Sequence, residues 1–81
     1  MQVTVKLFAS FREALGEDQK LVEVEQGTTV GQLWTDLVSQ TPRLAPLSGS
    51  AAFAVNKRYA KADAALADGD EVAFLPPVSG G

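Results

Sequence analysis

The sequence predicts an α+β domain in which a small mixed sheet is crossed on one face by a single main helix. Three observations carry this reading. Val3, Val5 and Leu7 alternate with Gln2, Thr4 and Lys6, as a half-buried strand requires. Val30, Leu33, Trp34, Leu37 and Val38 recur at helical spacing and form one apolar stripe. A last strand running through Leu75 follows the turn Asp68-Gly69-Asp70 and places Val72 and Phe74 on one face, Ala73 and Leu75 on the other.

The elements follow in order. After the first strand, "SFREALG" places Ser10 as a helix cap, Glu13 three residues on as its capping-box partner, and Gly16 as the terminator of a short helix. "QKLVEVE", residues 19–25, alternates again and predicts a strand that pairs with the first as a hairpin. In the main helix Thr29 is the expected cap, Gln32 its box partner, and Pro42 lies just past the end. Gly31 inside that helix weakens it slightly. "RLAPLSGS" reads as a loop with room for one helical turn, "AAFAVN" as a third strand, and "KRYAKAD" as a turn leading to a short edge strand. The first and last strands are the most uniformly apolar and are expected side by side at the centre of the sheet. The connection through the main helix has to be right-handed. This is the β-grasp arrangement. It assigns residues 1–75 to one domain and 76–81 to an extended C-terminal tail.

Composition narrows the function classes. The 81 residues suit one domain with a modest core, of which 46% are hydrophobic. Seven scattered basic residues and a net charge of −3 make a poor nucleic-acid or acidic-membrane binder. With no cysteine and no histidine, disulfides, thiol nucleophiles, histidine bases and Cys/His zinc sites are excluded. A cytoplasmic setting fits this, and the alternating N-terminus reads as a strand rather than a signal peptide. Asp68-Gly69-Asp70 resembles half a calcium site but lacks the further oxygen ligands such a loop needs, so it is read as a turn. Trp34 is assigned to the core, Glu13 to a solvated helix start and Lys57-Arg58 to a solvated turn. Arg12 stays open as a docking residue.

The tail "PPVSGG" carries the chemistry. Pro76 and Pro77 hold the chain extended and cannot continue a sheet ladder. Six extended residues reach on the order of 20 Å. Gly80 and Gly81 present the narrowest possible backbone, able to pass a channel too tight for a Cβ. The reactive group at the tip is a terminal carboxylate, inert until activated as a mixed anhydride. The arm therefore reads as a device for carrying its own C-terminus into another protein's active site. Leu75, on the face of the last strand opposite Val72 and Phe74, is read evenly as a scattered surface leucine or as an interface anchor.

The stretches "LFASFREALG", "TTVGQL", "AVN" and "LADGDEVAFLPPVSGG" together resemble the small, sulfur-carrying subunits of molybdopterin synthase. The resemblance implies a ubiquitin-like β-grasp fold ending in Gly-Gly. It implies that a ubiquitin-activating-like enzyme uses ATP to adenylate Gly81, that a persulfide sulfur donor converts it to a thiocarboxylate, and that the sulfur passes to cyclic pyranopterin monophosphate to build the molybdopterin dithiolene. In those terms Gly81 carries the sulfur, Gly80, Ser79 and Val78 thread the partner's active site, and Leu75, Pro76 and Pro77 lie at the interface with the large synthase subunit. The family often has an aromatic residue where Leu75 stands. The implied assembly is a heterotetramer, and the chain alone is non-catalytic and binds no cofactor or metal. The same fold also serves sulfur carriers for thiamine, cysteine or tRNA thiolation, ubiquitin-like protein modifiers, and plain binding modules.

Overall fold

The structure, a computed structural model, describes residues 1–76, without the side chains of Ser48 and Ser50. Strand β1 (Gln2–Leu7) leads through helix α1 (Ala9–Leu15) to β2 (Gln19–Glu23). Helix α2 (Val30–Gln40) runs into a 3-10 segment, Pro42–Ser50, followed by β3 (Ala52–Val55), β4 (Arg58–Ala60) and β5 (Glu71–Leu75). The five strands lie in the order β2-β1-β5-β3-β4. The first and last strands are thus central neighbours and run parallel, and every other pair is antiparallel.

The alternation of β1 and β5 divides their residues as expected. Val3, Val5, Leu7, Val72 and Phe74 are at most 1% exposed and pack under α2. From the helix come Val30, Leu33, Trp34 and Leu37, with Val38 half-buried against the same cluster. Trp34 sits at the centre of an aromatic group, its ring centroid 4.6 Å from Phe74, 5.0 Å from Phe11 and 6.4 Å from Phe53. It belongs to the core, as the stripe requires.

The α2 N-terminus forms the full capping box: Gln32 N–H donates to Thr29 Oγ1 at 3.2 Å, and Thr29 N–H donates to Gln32 Oε1 at 2.9 Å. Two further N–H groups of the first turn, on Val30 and Gly31, donate to the carbonyls of Ala64 and Ala62 at 2.9 and 2.8 Å. That contact explains Gly31. A Cβ there would stand 2.9 Å from Ala62 Cβ and 3.0 Å from Ala62 O, so the glycine lets the loop come close enough to satisfy the helix end.

Three expectations need correction. The cap of α1 is not Ser10 but Phe8, with no side-chain cap bond, and Ser10 lies inside the helix. The strand turns straight into the helix through Ala9, at φ 50°. This sharp entry brings Phe11 into the core beside Trp34, and burying that ring outweighs the loss of a side-chain cap. The "RLAPLSGS" loop is the 3-10 segment, which carries a fully buried Leu44. The second and third strands are shorter than read, because Asn56 belongs to a turn and Val24 bonds only with Met1. Gly16 does end α1, at φ 87°.

Candidate functional site

The site is the sheet face that α2 does not cover, together with the point where the chain leaves β5. Side chains alternate across a strand, so the residues between the buried Val72 and Phe74 face the other way. Cross-strand register lines them up with their neighbours. Lys6, Ala73, Ala54 and Tyr59 form one row across β1, β5, β3 and β4, and Ala52 stands opposite Leu75 in the next. Phe8 follows the paired Leu7 and Phe74 by one extended residue, which sets it beside Leu75 at the end of the sheet.

The result is a shallow apolar floor of alanines bordered by larger side chains. Ala52, Ala54 and Ala73 leave the middle low. Leu75 is half-buried, while Phe8 is 43% and Tyr59 84% exposed. A soluble surface that gathers exposed aromatics around small apolar residues is suited to a protein partner. At its edge Lys6 Nζ lies 3.5 Å from Glu71, a half-exposed pair that contributes little to stability but adds a polar rim. Arg12 is exposed and borders a shallow depression with Lys6, Phe8 and Asp18, beside the same face.

The turn before β5 fixes where the chain exits. Gln2 N–H donates to Asp68 Oδ1 at 2.7 Å, and Gly69 N–H, at φ 86°, donates to Gln2 O at 2.7 Å. Asp70 accepts from Ala67 N–H at 2.8 Å and from Asn56 Nδ2 at 3.0 Å, while Asn56 Oδ1 accepts from Glu71 N–H at 3.0 Å. Both carboxylates are therefore spent on backbone and amide donors that tie β5 to β1 and to the β3–β4 turn. Asp68-Gly69-Asp70 is a structural turn, and no cluster of metal-ligating side chains occurs among the described residues.

Among the residues read as functional from sequence, Leu75 lies on the open face and Pro76 continues from it, half-buried and out of the strand. Pro77, Val78, Ser79, Gly80 and Gly81 lie outside the described residues. Sequence reading missed Phe8 and Tyr59 as members of this face. The signal was present for Phe8, which continues the β1 alternation. It was weak for Tyr59, on a strand of only three residues.

Fold and open sheet face define a ubiquitin-like β-grasp protein. The likeness to a ubiquitin of Caldiarchaeum subterraneum, at TM-score 0.68 and 20% identity over 100% of this chain and 98% of the other, concerns the fold alone. The chain belongs to the ThiS family, which it matches over residues 5–81. It is 43% identical to the molybdopterin synthase sulfur carrier subunit of Mycobacterium tuberculosis over 100% of this chain and 99% of the relative. Among solved structures it is similar to small archaeal modifier protein 1 of Haloferax volcanii, at TM-score 0.85 and 34% identity, with both chains fully covered. It is also similar to a chain in the complex of subunits 1 and 2 of the Helicobacter pylori molybdopterin-converting factor, at TM-score 0.71 and 26% identity, again covering both chains fully. No helix among the described residues is long and apolar enough to cross a membrane.

Proposed function

We propose that this chain is the sulfur carrier of a molybdopterin synthase. The observation that carries the reading is full-length similarity to named sulfur carrier subunits, with the open face and its Leu75 standing next to a tail that ends in Gly80-Gly81. The folded face docks and the tail delivers. An activating enzyme uses ATP to form the Gly81 acyl adenylate; a persulfide donor attacks its acyl carbon and releases AMP, and a second thiol then reduces the resulting acyl disulfide, leaving the thiocarboxylate on Gly81 and a disulfide on the thiols. The tail then enters the active site of the large subunit, with Val78, Ser79 and Gly80 in the channel and Leu75, Pro76 and Pro77 at its mouth. Sulfur passes to cyclic pyranopterin monophosphate, and two such transfers build the dithiolene. This chain contributes the acyl carrier and the docking surface, in a heterotetramer of two small and two large subunits in the cytoplasm.

The test is intact-mass measurement after incubation with activating enzyme, ATP and persulfide donor. A mass gain equal to sulfur replacing oxygen, localised to Gly81 and lost on mixing with large subunit and pterin precursor, is expected. A chain that stays at its starting mass contradicts the proposal. The likeness to an archaeal modifier protein favours one second reading, covalent attachment to lysines through the same carboxylate. Ladders of larger conjugates in place of the thiocarboxylate species would support it.

A further inference from the structure

The β2 edge of the sheet has a second surface suited to a partner, separated from β5 by β1. Strand β2 is a sheet edge. Val24 N–H donates to Met1 O at 2.8 Å and Leu7 N–H donates to Asp18 O at 3.0 Å. In an antiparallel pair bonding alternates, so Asp18, Lys20, Val22 and Val24 turn their backbone groups towards β1. Gln19, Leu21 and Glu23 then turn N–H and C=O outward along the edge. Neither a proline nor a bulge interrupts this five-residue strand, whereas the other edge, β4, is only three residues long.

Beside this edge runs a cleft of about 250 Å³ between β2 and α2. Its floor is apolar, formed by Val22, Val24, Leu33 and Leu37. Asp36 and the single cation Lys20 border it, while Glu23 stands on the same edge strand with its side chain on the other sheet face, beside Gln2. Glu17 and Asp18 precede the strand and Glu25 follows it, so the whole edge is acidic. The cleft lies below the roughly 300–1,000 Å³ typical of small-molecule sites. Its combination of free backbone groups and an adjoining apolar slot is what strand addition uses: the main chain supplies affinity and alternate side chains supply specificity.

We propose that the β2 edge and the β2–α2 cleft form a docking site for an extended segment of a partner protein, added to the sheet as a further strand. That segment places apolar side chains in the cleft and carries lysine or arginine on its flanks, opposite Glu23, Asp36 and the neighbouring acids. The acidic edge also argues against a second copy of this chain as occupant, because self-pairing would bring like charges together. The cleft lies on the α2 side of the sheet, opposite the face that carries the Leu75 row, and β1 separates the β2 edge from β5.

The experiment titrates the full, isotopically labelled chain with two synthetic peptides sharing an alternating valine–threonine core, one flanked by lysines and one by glutamates. The lysine peptide is expected to shift the amide signals of Gln19, Leu21 and Glu23 together with those of Leu33 and Leu37. It should bind at least roughly tenfold more tightly than the glutamate peptide, with the difference shrinking at high salt. The double variant Glu23→Lys, Asp36→Lys should abolish or reverse the preference. Leu21→Pro removes an outward donor without touching the ladder to β1, and should weaken both peptides. If that variant fails to fold, the charge variant decides. Equal binding of the two peptides, shifts confined to the Leu75 face, or no shift at millimolar peptide would overturn the proposal. So would a peptide-free, concentration-dependent perturbation of β2, which would assign the edge to self-association.

Discussion

Phe74 and Leu75 are adjacent in one strand and serve opposite sides of the molecule. Phe74 is fully buried, its ring tilted by 40° against Trp34 at 4.6 Å and 5.6 Å edge-on to Phe53. Leu75 shares a row with Ala52 on the uncovered face and leads directly into the tail. The pleat alone separates them. One strand thus supplies the centre of the core on one side and an uncovered apolar face on the other, and a change at one position need not disturb the other. In this protein the helix-covered face answers for folding, and the alanine-floored face is the one proposed for recognition.

The largest effect is expected on the covered side. Phe74→Ala should lower unfolding stability by about 3–5 kcal/mol, most of what a domain of this size has. Chemical denaturation checks it, and a loss below about 1 kcal/mol would detach Phe74 from the core cluster. Leu75→Lys should behave in the contrary way. The isolated domain should keep its melting temperature, because the lysine reaches water, while affinity for the large subunit falls by about 2 kcal/mol or more as a charge is buried without a partner. The stabilisation that excess large subunit gives the normal chain by mass action should shrink in parallel. Calorimetric titration reads the affinity, and an unfolded Leu75→Lys chain would move that residue to the core side.

Gly31→Ala should destabilise despite the better helix former. Alanine gains about 1 kcal/mol in propensity, but overpacking costs about 1–3 kcal/mol, and part of the obstacle is the Ala62 backbone carbonyl at 3.0 Å. A net gain in melting temperature would show that the 62–64 loop can retreat. The smallest effect is that of Thr29→Ala, which removes half of a capping box and should cost about 1 kcal/mol with docking unchanged.

Where local chemistry and the global fold ask for the same thing, the sequence was readable. Thr29 and Gln32 cap α2 as their spacing requires, the apolar stripe of α2 faces the sheet, and β1 and β5 sit together at its centre. Ser10 and Glu13 made an equally good local signal that went unused. Helix α1 begins two residues earlier because Phe11 has to reach the core, and no local pattern reports a contact between positions as distant as Phe11 and Trp34. Leu44 was invisible for a related reason. A proline-rich 3-10 segment has no clean period to mark its single buried leucine. The open face was half legible. Leu75 follows from alternation in one strand, whereas Tyr59 and Ala52 join it only through cross-strand register. Gly31 read as a weakness until the loop carbonyls that require it came into view.

The proposed division between a docking face and a delivering tail is tested most directly by adding one residue after Gly81. Sulfur transfer needs the acyl carbon within about 3–3.5 Å of its reaction partner. One extra residue displaces it by roughly 3.3–3.6 Å along an extended arm, and Pro76-Pro77 leave little slack to absorb the error. The measurement is pterin product formation with large subunit, activating enzyme, ATP and sulfur donor, run beside a calorimetric titration against the large subunit. Product should fall to background while binding stays within about twofold of normal, because the Leu75 face is untouched. Normal turnover by the extended chain, shown by mass to be untrimmed, would contradict the account.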